Sequence, residues 1–347
     1  MNRQHLGLVV ATVAIVSGVS WPLPGVADTI EQQLEISPFG DATNRDRDVA
    51  DRLMRLGNQQ RAEGSYQQAI NTWYEAIDAY DRLGDLSAIG IAYDFIGLTY
   101  ADLGRYSEAE DLLRRRLAVA VDNDDLHGQV FGWNNLGSLF LQRGNLIAAE
   151  DSFNQGLDVA QSIEDYRGIG LSLSNMAVIE RSRGNYRDAI KLFERASAFR
   201  YAGGDLLGEA NTLNNLGDLY TQINQPERAL GAYGLALRAA EASGDRRLQL
   251  HSLNGLYRSY QALGEDYSYS IEQVLDQRVA LTLNESTDPF QQMITYRQLG
   301  EFFESDGEVA TAESFYQRAL AIAREIEDKQ QEVFLTNRLL VLQRLSE

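Results

Sequence analysis

A single turn residue recurs every 40 positions through most of this chain: Gly64, Gly104, Gly144, Gly184 and Gly264, with Asn224 in the remaining slot and Gly307 after a longer step. Three further columns keep the same register. A small residue follows each turn by five (Ala69, Ala109, Ala149, Ala189, Ala229, Ala312). Another precedes it by seven (Gly57, Gly97, Gly137, Ala177, Gly217, Gly300). An aspartate closes each unit, at Asp85, Asp125, Asp165, Asp205, Asp245, Asp288 and Asp328. A fixed period of this length marks stacked supersecondary units, not one central core. The 347 residues also exceed what a single core usually reaches, about 250–300 residues.

Each unit reads as two helices. Apolar residues fall at helical spacing before the turn, as in Trp133, Leu136 and Phe140, and after it, as in Ala189, Phe193 and Ala196. Glycine between them suits a left-handed cap. The closing aspartate stands where the next helix begins, a place for N-capping. The small columns allow close approach of the paired helices, so leucine at Ala189 should overpack them by about 1–3 kcal/mol. The expected organisation is seven units, at 46–85, 86–125, 126–165, 166–205, 206–245, 246–288 and 289–328. Residues 329–347 follow as an amphipathic capping helix with apolar members Val333, Phe334, Leu339, Leu340, Leu342 and Leu345. Unit six is irregular. It carries three extra residues near the tyrosine-rich stretch 265–269, has Tyr257 in the glycine column, and has Glu272 in the alanine column if all three follow the turn. Tyr267 and Tyr269 are candidate secondary contacts there.

Ahead of the array, Arg3, the apolar run Leu6–Val19 and the small residues Gly25-Val26-Ala27 form the pattern of a secretory signal over 1–27. A polar linker over 28–45 follows. The net charge of −19 disfavours nucleic acid and anionic membrane as partners. All but two of the 31 basic residues are arginine. The absence of cysteine excludes disulfides, thiolate metal sites and cysteine nucleophiles.

The residues Trp133, Leu136, Gly137 and Phe140, together with Ala149 and Phe153, match a signature that repeats with Tyr93, Ile96, Gly97 and Tyr100, and with Ala189 and Phe193. Over about 46–328 the chain resembles the tetratricopeptide repeat family, in the longer-unit subclass typified by kinesin light chain. The unit exceeds the usual 34 residues by six. The resemblance implies an all-α, right-handed solenoid whose first helices line a concave groove for peptides or partner proteins. Asn135, Asn175 and Asn215 lie nine residues before the turn, and Asn134, Asn214 and Asn254 ten before it. In the family such positions face the groove, and a carboxamide can both donate to and accept from a peptide backbone. Inter-repeat hydrogen bonding between neighbouring helices accounts for the same columns, and both readings stand at this point.

Nothing in the sequence carries chemistry. His127 and His251 sit in different units, and there is no G-x-S-x-G, phosphate-binding loop or H-E-x-x-H. Gly168-Ile169-Gly170 lacks the strand and third glycine of a dinucleotide site. Asp122–Asp125 lacks the glycine and terminal glutamate of a calcium loop. Asn284-Glu285-Ser286 is a glycosylation sequon. No catalytic residue, cofactor or metal is expected. The expected function is a non-enzymatic scaffold or assembly factor for a protein or peptide. The alternatives are a peptide-sensing regulator and a non-catalytic subunit of an exported enzyme complex. In style the repeats resemble bacterial, cyanobacterial-type proteins. The expected location is outside the cytoplasm, in periplasm, thylakoid lumen or medium.

Overall fold

The structure, a computed structural model, describes residues 45–283 and 288–346. The signal over 1–27, the linker up to residue 44 and the sequon at 284–286 lie outside the described residues. What is described is helical throughout, with no strand among these residues. Seven helix pairs follow one another. They are α1 (Arg45–Ala62) with α2 (Tyr66–Leu83), α3 (Leu86–Asp102) with α4 (Tyr106–Asp122), and α5 (Leu126–Gln142) with α6 (Leu146–Ser162). Next come α7 (Tyr166–Ser182) with α8 (Tyr186–Ala202), α9 (Leu206–Gln222) with α10 (Pro226–Ser243), α11 (Arg246–Leu263) with α12 (Ser268–Thr282), and α13 (Pro289–Ser305) with α14 (Val309–Glu325). The last helix described is α15 (Lys329–Ser346), packed on α14. Each helix packs on the one before and the one after, giving an α-solenoid.

The turn chemistry is regular. The turn glycines take left-handed φ, and Asn224 does the same at 57°. Asparagine is among the few side chains that adopt this conformation at low cost. At the unit boundaries each aspartate accepts the backbone N–H three residues on, as Asp165 does from Gly168 at 3.1 Å and Asp328 from Gln331 at 3.0 Å. Three boundary turns place a carboxylate-bearing residue at positive φ just before the cap: Asp124, Glu164 and Glu327. The Asp122–Asp125 run is thus the end of α4, a turn and the cap of α5.

The glycine column before the turn has a sharper purpose than close helix approach alone. A Cβ on Gly137 would stand 2.5 Å from the Phe153 ring, and one on Gly217 2.6 Å from the Tyr233 ring. In repeats one, three, five and seven the first helix therefore gives up a side chain so that the second can insert a large one, and in repeat four Ala177 leaves room for Phe193. Trp73, Phe153, Phe193, Tyr233 and Tyr316 are the inserted side chains and all are buried.

Repeat six departs from its expected register. Glu272 is exposed, and Ile271, Leu275, Arg278 and Thr282 form the inward face of α12. Their 4-3-4 spacing equals that of Ala189, Phe193, Ala196 and Arg200 in α8. Two of the extra residues therefore follow Gly264, in a short 3-10 turn at Glu265–Tyr267, and the third lies between α12 and α13. Tyr257, in the glycine column, reaches toward repeat seven and donates to Glu301 at 2.9 Å.

The last helix is the first half of an eighth unit. Asp328 caps it, and Leu339 and Leu342 are buried together with Leu335. Val333, Phe334 and Leu340 face outward. Leu340 falls in the glycine column and is exposed.

Candidate functional site

Successive first helices pack directly on one another from α3 through α5, α7 and α9 to α11, whereas successive second helices do not. The first-helix layer is thus the inner one, and its polar columns meet. Asn135 donates to Asp94 at 2.8 Å, and Asn175 to Asn134 at 2.9 Å. Asn134 also donates to Ser172 at 2.9 Å, while Ser252 donates to Asn214 at 2.8 Å. Asn134, Asn135, Asn175, Asn214 and Asn215 are all at most 4% exposed. The expectation that these five project into the groove is therefore corrected. The amides of Asn134, Asn135, Asn175 and Asn214 bond in the contact between neighbouring first helices, although Asn135 Oδ1 is left without a partner. Asn254 differs: it is half-buried and accepts from Gln298 at 2.8 Å.

The column of Asn135, Asn175 and Asn215 ends at repeat six, where the equivalent position is Gly255. A Cβ there would meet the Tyr233 ring at 2.4 Å. Beyond it, α11 and α13 no longer pack closely, and long side chains bridge the gap. A basin of about 610 Å³ opens at this break, walled by α11 and α13 and reaching α9, α10 and α12. Asn254 and Gly255 line it. Tyr267 and Tyr269 do not; Tyr267 packs on Tyr260 with ring centroids 5.5 Å apart, and Tyr269 is exposed.

The lining is basic in an otherwise acidic chain: Arg246, Arg247, Arg258, Arg278 and Arg297 against Asp218 and Asp288. Of these arginines, Arg297 is ion-paired, with Glu301 at 3.4 Å. Arg278 is 1% exposed and donates only to uncharged groups. Its partners are the Thr295 hydroxyl at 3.0 Å, the Leu250 carbonyl at 3.3 Å and the Gln291 side chain at 2.8 Å. Burial pushes this guanidinium down to about 10, and the charges of Arg297 and Arg258 add to the effect while Asp288 opposes it. At the other end Asp218 accepts from the Tyr233 hydroxyl at 2.7 Å and contacts His251 at 3.1 Å, leaving its buried second oxygen without a partner. Burial raises the Tyr233 hydroxyl well above its usual range, so it stays a donor.

Sequence reasoning missed the arginines because each is unremarkable alone. The available signal was their spacing: Arg247, His251, Asn254 and Arg258 share one face of α11. The arrangement can bind, since Arg246 and Arg297 each hold a buried donor, and Asp218 a buried oxygen, without a hydrogen-bond partner. Among the described residues no group of side chains could hold a metal ion, and no helix is long and apolar enough to cross a membrane.

Comparison with solved structures finds the same fold at low identity. One is a signal-transduction ATPase with numerous domains from Pyrococcus horikoshii, which has a tetratricopeptide repeat sensor. It aligns with TM-score 0.61 and 18% identity over 85% of this chain and 44% of the other. This chain thus spans less than half of that protein. A Rap protein complexed with competence and sporulation factor gives TM-score 0.54 and 13% identity over 86% and 77%. The Rap conjugation gene regulator of plasmid pLS20, in complex with the Phr* peptide, gives 0.53 and 17% over 85% and 80%. No curated protein matches the chain by sequence. The tetratricopeptide repeat profile matches residues 48–120, 129–202 and 168–242, and a second profile of the same description matches 295–330. With the seven helix pairs and their glycine and alanine columns, these matches make the chain a member of the tetratricopeptide repeat family.

Proposed function

We propose that this chain is a non-catalytic docking scaffold that holds a segment of a partner protein against its first-helix face, anchored in the basin between repeats five and seven. The observation that carries this reading is the basin itself. It interrupts the sealed asparagine layer and gathers unpaired guanidiniums in a concave site of the size ligand pockets have. Two solved structures of this fold are complexes with a factor and with a peptide, which supports a peptide-sized occupant. The signal pattern over 1–27 supports work outside the cytoplasm, and acidic composition disfavours nucleic acid as the partner.

The test is crosslinking capture with the full chain in its own host, beside the double variant Arg247→Glu, Arg258→Glu. Both side chains are exposed, so helicity should be unchanged by circular dichroism. Partner capture should fall sharply. Undiminished capture by the folded variant would move the site elsewhere, with exposed Tyr269 as the next position to alter.

A further inference from the structure

Repeat two contains an internal precedent for the basin. There Arg116, 3% exposed, donates its Nε to Asp94, which is fully buried, at 2.9 Å. The two are 22 residues apart, one on each helix of the pair. Arg278 stands in the same column as Arg116 once the two residues inserted after Gly264 are allowed for. Counting back along α11, the column of Asp94 holds Asn254. Repeat six therefore has the buried arginine of repeat two without its carboxylate, the column holding asparagine as it does in repeats three and five. Three arginines are buried among the described residues. Arg116 and Arg200 each meet an aspartate, Asp94 and Asp205. Arg278 meets none, although an unpaired buried charge is among the costlier arrangements in a fold.

The rest of the lining repeats the demand. Arg246 carries a buried Nη2 without a partner. Arg247 and Arg258 are exposed and make no ion pair among the described residues. Opposite them, the unpartnered Oδ2 of Asp218 requires a donor. A ligand that answers both ends carries carboxylate and N–H together. A peptide with acidic residues does so; a phosphate or a simple sugar lacks one or the other.

Building on the scaffold reading, we propose that the basin takes an acidic peptide segment, one carboxylate of which docks on Arg278 as Asp94 docks on Arg116. Neighbouring guanidiniums receive further carboxylates, and Asp218 accepts a backbone N–H. Charge-assisted pairs of this kind are roughly twice as strong as neutral hydrogen bonds, and arginine's fork suits carboxylate geometry.

The precedent supplies the test. Asn254→Asp restores the carboxylate within the chain, and its oxygen can still accept from Gln298. The full chain should gain thermal stability, about 2–4 °C for each kcal/mol recovered. In selection from a randomised octapeptide library, the wild-type chain should enrich Asp and Glu, and Asn254→Asp should lose that enrichment. The best selected peptide should bind the variant about tenfold or more weakly, a difference of about 1.4 kcal/mol. Remaking it with an amidated end, or with Glu→Gln changes, assigns the docking carboxylate to the terminus or to a side chain. If Asn254→Asp does not fold, Arg246→Gln with Arg258→Gln carries the same comparison. Equal acidic enrichment by wild type and variant overturns the proposal. Peptides captured without acidic preference overturn it while leaving the scaffold reading standing. Capture of no peptide by the wild-type chain removes both.

Discussion

Asn134→Ala is the perturbation that best separates a sealed layer from a binding ladder. The Asn134 side chain is fully buried. Its amide nitrogen donates to Val130 O and Ser172 Oγ, both at 2.9 Å, and its oxygen accepts from Asn175 at 2.9 Å. Removing it orphans two buried groups on the neighbouring first helix, the Asn175 amide and the Ser172 hydroxyl. Each orphaned group costs about 1–3 kcal/mol. Alanine's better helix propensity returns about half a kcal/mol. The net loss should be about 2–5 kcal/mol, far above the half kcal/mol typical of exposed sites. Urea unfolding with hydrogen exchange would show the loss, concentrated in α5 and α7. A double-mutant cycle with Asn175→Ala should be non-additive by about 0.5–3 kcal/mol, because the two changes delete the same bond. A loss under about 1 kcal/mol, or strict additivity, would refute the reasoning. By the same logic the triple change Asn135→Ala, Asn175→Ala, Asn215→Ala should loosen the stack rather than act on binding alone.

Three further outcomes are expected. Asp205→Ala should cost about 3–5 kcal/mol, because it strips the carboxylate from buried Arg200 as well as removing a cap, whereas Asp245→Ala should cost about 1 kcal/mol by thermal melts. Gly217→Ala should destabilise by about 1–3 kcal/mol by forcing the Tyr233 ring from its slot, and adding Tyr233→Leu should recover part of the loss in the same melts. Hydrogen exchange should open 268–283 before 126–243, since α12 is the shortest α-helix described and packs more loosely on α11 and α13 than the paired helices of 126–243 pack on each other; equal protection would count against this.

The architecture was readable because it is written once per unit. Glycine at the turn, aspartate at the boundary and a small residue opposite a ring each answer a local steric or capping demand, so the columns survive drift elsewhere. The asparagine columns were readable as columns but not as partners. The Asn135 and Asn175 bonds join residues 41 apart, one more than the period, so each of these amides meets the adjacent column of the neighbouring helix, while the bonds to Ser172 and Ser252 span 38. Nothing in one repeat says whether that neighbour or a ligand is met. The basin was least legible because it arises from single departures, Gly255 in an asparagine column and Arg278 in a column of small residues that Arg116 alone also breaks. Such departures look like drift until the helices are stacked. The three extra residues misled for a related reason. Length alone does not say how an insertion divides between two turns, and assigning all three to one put Glu272 inward in place of Ile271.

Each boundary aspartate belongs to two units at once. The backbone N–H of Asp165 donates to Ala160 O on α6, while its side chain holds the start of α7. A gene duplication or a designed graft cut at this residue would sever a joint, whereas a cut inside a helix would carry whole joints along. The extra length in repeat six obeys that grammar, entering after Gly264 and before Asp288, never between an aspartate and the helix it caps. Families of such arrays should therefore vary in spacing upstream of the aspartate and hold constant the three residues downstream of it.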